Sequence, residues 1–241
     1  MRDYLVFRLY GPMAAWGEIA VGEYRPSFAH PSKSAVIGLF AAALGIRREE
    51  EDRQKALADS CLFAVRTDAM GNLLRDYHTI QVPSSGTGRN LKVFHTRRAE
   101  LAATNLNTIL SSRDYRCDAV YTVAVGFRDN APVSAKQLAE ALRKPVFTLY
   151  LGRKSCPLAY PLAPAVIPAT SVKDALQQWT IENDELDSLV RQESCAVHWE
   201  DGLGGYEREQ VITRRDMPLS RTRWQFAERR ENFATLRKKE G

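Results

Sequence analysis

The stretch CDAVYTVAVGF at residues 117–127 has the period of a β-strand, with Ala119, Tyr121, Val123 and Val125 on one face, and it decides the fold class. A turn at 130–132 follows, and then Ser134-Ala135-Lys136-Gln137 has the form of a capping box, which predicts a helix to about Arg143. The hydrophobic run from Val146 to Leu151 predicts another strand. These residues therefore predict a strand–helix–strand unit.

A second unit of the same kind precedes this stretch. Residues Asp3–Tyr10 alternate as a first strand, and Ser32 stands before an apolar run, Ala35–Leu44, that predicts a deeply packed helix. Cys61–Thr67 predicts the next strand, and a turn at 70–72 predicts a hairpin. The order βαββαβ indicates an α+β fold of the ferredoxin-like type, to which RRM domains also belong.

An insertion interrupts this plan at about residues 82–113. It begins with the turn-rich Pro83–Gly88, continues with a basic run, Arg89–Arg98, that contains Phe94, and then has apolar residues in Leu101–Ser112 that predict a short helix or an irregular arm. A basic segment with an exposed aromatic suits a projecting contact with nucleic acid. A solvated loop without a partner is the alternative.

The chain after residue 164 predicts a smaller, β-rich region, so the expected domains are residues 1–164 and 165–241. Ser171 is expected to cap a short helix that runs to Trp179. Alternating segments near Cys195–Trp199, Tyr206–Thr213 and Arg223–Ala227 predict a small antiparallel sheet.

Composition sets broad limits on the kind of protein. The chain has 241 residues, 44% of them hydrophobic and 26% charged, with a formal charge of +5 that permits an acidic partner without requiring one. A basic cluster runs from Arg214 to Lys239. The cysteines show no C-x-x-C spacing, and neither a signal peptide nor a membrane span is evident, so we expect reduced thiols and a cytoplasmic protein. The histidines lack metal-ligand spacing, and we expect no metal and no cofactor.

The segment Tyr150–Leu158 is the strongest candidate for a ligand contact. Gly152 can bring the backbone close to a ligand, and Arg153 and Lys154 beside successive N–H groups suit a phosphate. Ser155 adds a hydrogen-bond donor, and Cys156 is expected to pack rather than react. The alternative is an ordinary basic surface turn.

Two further sites rest on weaker patterns. The free N–H groups at the start of the predicted helix, next to Lys33 and Ser34, form a possible anion site, with a plain N-cap as the alternative. Tyr77-His78, helped by Lys92 or His95, could supply the acid and base for metal-free RNA cleavage. The same side chains suit stacking and phosphate contacts equally well.

Four blocks of the sequence resemble the CasD family, the subunits of type I-E CRISPR Cascade complexes that belong to the RAMP superfamily. The blocks are Gly11–Gly17, Arg75–Thr79, Cys117–Ala119 and Tyr150–Leu158. They occur in the family's order and span residues 4–158, whereas the resemblance beyond about residue 165 is loose. The last block is the most specific.

The resemblance implies a ferredoxin-like domain with a thumb-like insertion, in a ribonucleoprotein complex for antiviral defence. CasD proteins cap the 5′ handle of the guide RNA (crRNA) and dock between the CasC backbone and the large subunit CasA. They meet target DNA only through the complex. Another subunit, CasE, cuts the precursor, so a non-catalytic binding and assembly role is expected. A related type I-C subunit is itself a nuclease, which keeps a metal-independent endoribonuclease as the alternative.

The resemblance places the glycine loop at Gly152–Cys156 and the thumb within Val82–Arg113, and this insertion is longer than is typical of the family. The residues expected to bind RNA are Gly152, Arg153, Lys154, Ser155, Trp16, Lys33, Ser34, Tyr77, His78, Arg89, Lys92, Arg97 and Arg113.

Overall fold

The computed structural model of the chain describes residues 1–83, 93–180, 184–190 and 194–237. Arg89, Lys92 and the predicted turn at 84–88 lie outside the described residues. The strands are β1 (Arg2–Tyr10), β2 (Met13–Ala14), β3 (Tyr24–Arg25), β4 (Cys61–Ala69), β5 (Asn72–Pro83), β6 (Leu106–Cys117), β7 (Val120–Phe127), β8 (Ala165–Ala169), β9 (Ser194–Trp199), β10 (Gln210–Ser220) and β11 (Gln225–Arg237). The helices are α1 (Lys33–Ala43), α2 (Glu51–Ser60), α3 (Arg97–Leu101), α4 (Ala135–Arg143), α5 (Val172–Gln178) and α6 (Asp184–Asp187).

The main sheet has the strand order β10-β11-β9-β4-β7-β1-β8 within the described residues, and its neighbouring strands pair antiparallel. Strand β7 lies between β1 and β4, with Phe7 opposite Val123 and Val65 opposite the same residue on the other side. The alternating stretch that ends at Phe127 is thus a central strand, and the expectation of a strand there is confirmed from Val120 onward. A mixed α+β architecture follows.

The period-two pattern of the central strands distributes side chains to two hydrophobic layers. Leu5, Phe7 and Val123 pack on the side of the sheet that α1 and α4 cover. Tyr4 and Ala124 pack on the opposite side, in a layer that includes residues of α5. Because both faces of the central sheet are buried, its register is strongly specified.

The three predicted caps that begin helices are present, and one of them is Ser171, which accepts a hydrogen bond from the Asp174 N–H at the start of α5. Ser32 accepts a hydrogen bond from the Ala35 N–H at the start of α1. Ser134 and Gln137 form a reciprocal capping box at the start of α4. No helix within the described ranges is long and apolar enough to cross a membrane.

The predicted strand over Val146–Leu151 is wrong. These residues are largely irregular, with one isolated bridge between Tyr150 and Pro157. The edge of the sheet beside β1 is taken instead by β8, with Leu5 opposite Val166. The N–H groups of Val146 and Phe147 donate to carbonyl groups at the end of α1, so the hydrophobic run packs as a loop rather than in a ladder.

The C-terminal strands do not form the separate small sheet that the sequence predicts. Strand β9 pairs with β4 of the main sheet, with Val65 opposite His198, and β11 and β10 follow outward. The sheet therefore continues across residue 164. The division into residues 1–164 and 165–241 stays a prediction about folding units, because strand pairing alone does not test whether each part folds independently.

The insertion is a β-ribbon rather than a loop with a helical arm. Strands β5 and β6 pair from Asn72 opposite Cys117 to Pro83 opposite Leu106. The expected helix or irregular arm over Leu101–Ser112 is wrong for most of its length, since α3 ends at Leu101 and β6 begins at Leu106. The turn at 70–72 joins two sheets instead of forming a hairpin, because β4 and β5 do not pair.

Candidate nucleic-acid interface

A cleft of about 1210 Å³ lies beside the predicted glycine loop. Its walls come from the β2–β3 segment, α1, the residues before α2, the loop after α4, and the tip of the β10–β11 hairpin. We call this space the basic cleft, and the charged and exposed aromatic side chains that line it are Glu18, Arg25, Arg47, Arg48, Glu49, Phe147, Tyr150, Arg153, Lys154, Arg221 and Trp224.

Cations outnumber carboxylates on the walls of the basic cleft. No Asp or Glu side chain of the described residues forms an ion pair with an arginine or lysine of the basic cleft. Grouped cations without counter-charges repel one another, so an anionic ligand between them is favoured. Phe147, Tyr150 and Trp224 add apolar surface on which bases can stack.

The glycine loop at one edge of the cleft is a tight turn. The Leu151 N–H donates to the Cys156 carbonyl at 2.7 Å, and the Cys156 N–H donates to the Arg153 carbonyl at 2.9 Å. Leu151 also accepts from the Ala15 N–H at 3.0 Å, which fixes the loop to the start of the chain. Cys156 is fully buried, in agreement with the expectation that it packs.

The reason for glycine at position 152 differs from the expected one. Gly152 has φ +84°, and a Cβ at this position would lie 1.8 Å from the Ala15 carbonyl oxygen. The protein's own backbone therefore approaches this position too closely for a side chain. A side chain here would displace the loop from the β2 segment.

Arg153 is partly committed to the fold, whereas its neighbours are exposed. Its guanidinium donates to the carbonyls of Arg25 (3.3 Å) and Asp114 (3.4 Å) and lies 4.7 Å from the centre of the Tyr115 ring. Lys154 and Ser155 point away from the core and are exposed. Lys154 is thus the least encumbered cation of the loop.

Two predicted contact residues are buried, which contradicts direct binding of RNA by either. Trp16 is 0% exposed and packs edge-on against Tyr121. Lys33 is 3% exposed, and its ammonium donates to Glu200 at 2.9 Å. The apolar surroundings of Trp16 favour the core, and the carboxylate beside Lys33 neutralises its charge.

The proposed anion site at the start of α1 is also occupied from within the protein. The Lys33 N–H donates to the Asp216 carboxylate at 2.8 Å, so a side chain of β10 takes the position of the anion. Ser34 lies on the wall of the basic cleft, half-buried, with its hydroxyl 3.0 Å from that of Ser32. Its carbonyl accepts from Arg221.

Behind this helix end lies a buried set of charged groups, which we call the charge network. Arg229 donates to Asp216 (2.6 Å) and to Glu231 (2.6 Å), and Arg214 donates to Glu231 at 3.2 Å. The remaining members are His30, Lys33, His198 and Glu200. Each arginine and lysine of this set faces at least one carboxylate.

His30 and His198 are far apart in the sequence but lie next to each other in the charge network. His30 and His198 stack with ring centroids 3.8 Å apart, and both offer nitrogens near the Glu231 carboxylate. The Arg214 guanidinium lies 2.6 Å from His30 Nε2, and a guanidinium at this distance repels a metal cation. The cluster therefore fits an ion-pair network better than a metal site.

Two pKa shifts show how the network is balanced. Burial opposes ionisation of Glu231, but hydrogen bonding and charge from His30, with the nearby arginines, hold the pKa of this carboxyl well below its usual value. Burial, together with His30, lowers the pKa of His198 to about 3, so its ring is neutral at pH 7.

The predicted residues of the ribbon that the structure describes are Tyr77, His78, Arg97 and Arg113. Tyr77 is 64% exposed, and His78 Nδ1 lies 2.9 Å from Asp76. Because neighbouring residues of a strand point to opposite faces, the side chains of Tyr77 and His78 lie on opposite faces of β5. Arg97 pairs with Glu100 at 2.6 Å, and Arg113 donates to Ser111 at 3.2 Å.

The ribbon also fixes the β3 end of the cleft. Arg75 donates to Asp114 at 2.8 Å, and the Tyr24 hydroxyl donates to the same carboxylate. The hydrogen bond from Arg75, aided by that from Tyr24, lowers the pKa of Asp114 despite burial. Arg25, the residue after Tyr24, is thereby held at the wall of the basic cleft.

Sequence reasoning missed most of the cleft. Arg47 and Arg48 precede α2, and Arg221 and Trp224 lie in the turn between β10 and β11. A doublet of arginines and a basic cluster near Arg221 are visible in the sequence, but nothing local indicates that they face one another. Only the pairing of β9 with β4 brings the hairpin to α1.

Comparisons with known proteins agree with this architecture. The sequence matches the protein family described as "CRISPR-associated protein (Cas_Cas5)" over residues 4–231. It is 34% identical over 237 residues to "CRISPR system Cascade subunit CasD" of Escherichia coli (strain K12), covering 95% of this chain and 94% of that protein.

Two solved structures have a similar fold. A chain of a structure titled "CRISPR RNA-guided surveillance complex" superposes with a TM-score of 0.66 at 28% identity, covering 97% of this chain and 89% of that one. A second, titled "Crystal structure of Cas protein", gives a TM-score of 0.58 at 25% identity, covering 97% and 95% of the two chains.

Proposed function

Because the chain belongs to the family of CRISPR-associated proteins described as Cas_Cas5, we propose that it is a non-catalytic subunit of a type I-E CRISPR Cascade complex. In this role it binds and caps the 5′ handle of the guide RNA. The similar CasD protein and the similar chain of a surveillance complex support the assignment. The observation that carries the RNA contact is the basic cleft, whose cations have no carboxylate partners among the described residues.

The cleft has the chemistry of a single-strand binding groove. Lys154, Arg47 and Arg48 offer charge to phosphates, and the exposed rings of Tyr150 and Phe147 offer stacking surface. A groove of this kind recognises the backbone by charge and the bases by their flat faces. The glycine loop forms one edge, where Lys154 and Ser155 are exposed.

The salt dependence of RNA binding tests this contact. The full chain is titrated with single-stranded repeat RNA at several salt concentrations, as wild type and with Lys154→Gln or Arg47→Gln. Each variant should bind more weakly, and the slope of log affinity against log salt should flatten by about 0.7 for each phosphate that is no longer neutralised. Lys154 is preferred to Arg153 because Arg153 also holds the loop in place.

The matched control is Lys136→Gln, which removes the same charge from an exposed position of α4 outside the cleft. Its affinity and slope should equal those of the wild type. If the two cleft variants also equal the wild type while RNA binds normally, the cleft is not the RNA contact. If the wild type binds no RNA, the function itself is wrong.

The non-catalytic assignment rests on the ribbon geometry. Tyr77 and His78 point to opposite faces of β5, and His78 is engaged by Asp76. His95 is exposed, and Lys92 lies outside the described residues. Incubation of the pure chain with repeat RNA in EDTA tests the alternative of a metal-independent endoribonuclease: intact RNA supports the proposal, and cleavage that His78→Ala abolishes overturns it.

We also propose that the ribbon serves assembly, with a CasC backbone subunit and the CasA large subunit as partners and target DNA met only through the complex. Leu73, Leu110 and Tyr77 are exposed on one face of the ribbon, and Leu74 and Ile109 on the other. Apolar side chains on both faces of a projecting ribbon suit burial between neighbouring subunits.

Thiols at Cys61, Cys117 and Cys156 fit a cytoplasmic setting.

The finer fold assignment is a ferredoxin-like RAMP domain with a thumb-like insertion. The strand order β8-β1-β7-β4, with α1 after β1 and α4 after β7, supports it. In this assignment the ribbon β5–β6 is the thumb. The strands β9–β11 are an extension of the domain's sheet.

A further inference from the structure

The tip of the β10–β11 hairpin presents an aromatic side chain to the basic cleft. Trp224 is 58% exposed, and its indole lines the cleft wall. The other tryptophans, Trp16, Trp179 and Trp199, are buried. A large exposed ring beside unpaired cations is unusual on a surface that only meets water, because its burial would release apolar area.

Contacts with two helices hold this tip in place. Ser220 donates to the Glu51 carboxylate at the start of α2 at 2.5 Å, and Thr222 donates to the same group. Arg221 donates to the Ser34 carbonyl of α1. A Cβ at Gly38 would come within 3.3 Å of the Arg221 guanidinium, so the glycine in α1 leaves room for this arginine. The tip is thus positioned from both sides.

Trp224 itself has an uncommon backbone conformation. Its φ is +52°, in the left-handed region that bulky residues rarely adopt. Glycine or asparagine would satisfy this turn with less strain. A strained aromatic residue held by its surroundings is typical of functional positions, where the direction of the side chain matters more than local stability.

The indole ring of Trp224 lies close to two arginines of the basic cleft. The Arg48 guanidinium lies 4.8 Å from the ring centre, a cation–π contact, and the exposure of the ring leaves room for a partner on it. Neither Arg48 nor Arg221 forms an ion pair with a carboxylate of the described residues. Burial, together with the charge of Arg48, lowers the pKa of Arg221. A phosphate between the two arginines would relieve their repulsion.

We infer that Trp224 is a stacking platform for one unpaired nucleobase at the outer lip of the basic cleft, with Arg48 and Arg221 beside it for the adjoining phosphate. This inference rests on the proposed binding of RNA and assigns a base-binding subsite to the hairpin tip. Stacking requires only a flat π-face, so the subsite accepts any base and fixes its position along the strand.

Two substitutions at Trp224 distinguish the contribution of the aromatic ring from that of the left-handed backbone conformation. Trp224→Asn tolerates the left-handed conformation and removes the ring, whereas Trp224→Phe keeps an aromatic face. With single-stranded repeat RNA as the probe, Trp224→Asn should lower the affinity about five- to 150-fold, the range for removal of one base–aromatic stack. Trp224→Phe should retain most of the affinity. Urea unfolding of both variants establishes that the fold is unchanged.

A set of repeat RNAs, each with one abasic position, identifies the stacked base. Removal of that base should weaken binding to the wild type but have little further effect on Trp224→Asn, because both changes delete the same contact. Fluorescence gives a second readout. Since the other tryptophans are buried, RNA should quench the emission of Trp224 in the wild type, and Trp224→Phe should lose this quenching while still binding.

The outcomes distinguish this inference from the proposed function. If the wild type binds RNA, Lys154→Gln weakens it, and Trp224→Asn does not, the stacking platform is wrong and the cleft remains the RNA contact. If Trp224→Asn leaves RNA affinity intact but prevents assembly with other subunits, Trp224 is a protein contact, which also overturns the inference. If the wild type binds no RNA, both proposals are wrong.

Discussion

Two groups of cations lie near α1 and differ in their partners. In the charge network, Lys33 and Arg214 are buried and the Arg229 side chain is 8% exposed, and each forms ion pairs with carboxylates of β10, β11 or the residue after β9. In the basic cleft, Arg48 and Lys154 face open space without an acidic partner among the described residues. The amino-acid sequence alone does not distinguish the cations of one group from those of the other.

The difference separates cations that hold the fold together from cations available to a ligand. A buried charge is costly unless it is paired, so the network cations must have carboxylates. An exposed cation needs no partner inside the protein, and a group of them favours an external anion. The predicted site residue Lys33 falls in the first group and Lys154 in the second, although both are lysines beside serines.

The largest expected effect comes from breaking the charge network at Glu231, which is 0% exposed. Glu231→Ala leaves Arg229 and Arg214 with fewer acceptors in a buried site, and it should lower the free energy of unfolding by about 3–5 kcal/mol. Urea denaturation monitored by circular dichroism measures this change.

Glu228→Ala is the matched control, because Glu228 lies on the same strand, β11, and is exposed. Its unfolding free energy should stay within about 0.5 kcal/mol of the wild type. Equal effects of the two substitutions would mean that the network does not stabilise the fold.

The next effect concerns the edge of the cleft, at Gly152. Gly152→Ala forces a Cβ toward the Ala15 carbonyl and places a side chain at a positive φ, so the unfolding free energy should fall by about 1–3 kcal/mol. Gly204→Ala, where no heavy atom lies within 4 Å of the added Cβ, should be tolerated. A stable Gly152→Ala variant would show that the loop is free to move away from β2.

The acid sensitivity that His198 confers on the network is a smaller effect when it is measured per pH unit. Its folded pKa of about 3 lies below the unfolded value, so the unfolded state binds more protons between about pH 6.5 and pH 3. Stability is complete above this window and falls as the pH decreases, by at most about 1.4 kcal/mol per pH unit for one group. His198→Phe should flatten the dependence of unfolding free energy on pH.

The comparison for this experiment is His95→Asn, at an exposed position of the chain. It should leave the pH dependence unchanged. The titratable and charged groups that face His198 are His30, Glu231, Arg214 and Arg229. Identical slopes for the wild type and His198→Phe would show that His198 takes up its proton in both states alike.

The smallest effect on stability is expected in the basic cleft. Lys154→Gln removes an exposed charge, so the unfolding free energy should change by less than about 0.5 kcal/mol while RNA affinity falls. Thermal unfolding and RNA titration of the same preparation measure both. A marked loss of stability would place Lys154 with the structural cations and remove the contrast between the two regions.

Local patterns were sufficient for most of the central domain. The alternation of Cys117–Phe127, the serine caps of α1 and α4, and the burial of Cys156 follow from short-range sequence signals, and the structure contains them. The run Val146–Leu151 shows where such signals fail, because hydrophobicity predicts burial but does not choose between a loop on α1 and a strand at the edge. The stretch Leu106–Ser112 is a strand because β5 is available to pair with it.

The sequence by itself determined which residues are apolar, where α1, α4 and α5 begin, and that a glycine and two cations follow Leu151. Tertiary structure alone decided which cations are paired. Lys33 meets Glu200 across 167 positions of the chain, and Trp224 reaches the cleft because β9 joins β4. Ion pairing depends on distance in space, and a residue's neighbours in space depend on strand order, which no local pattern encodes.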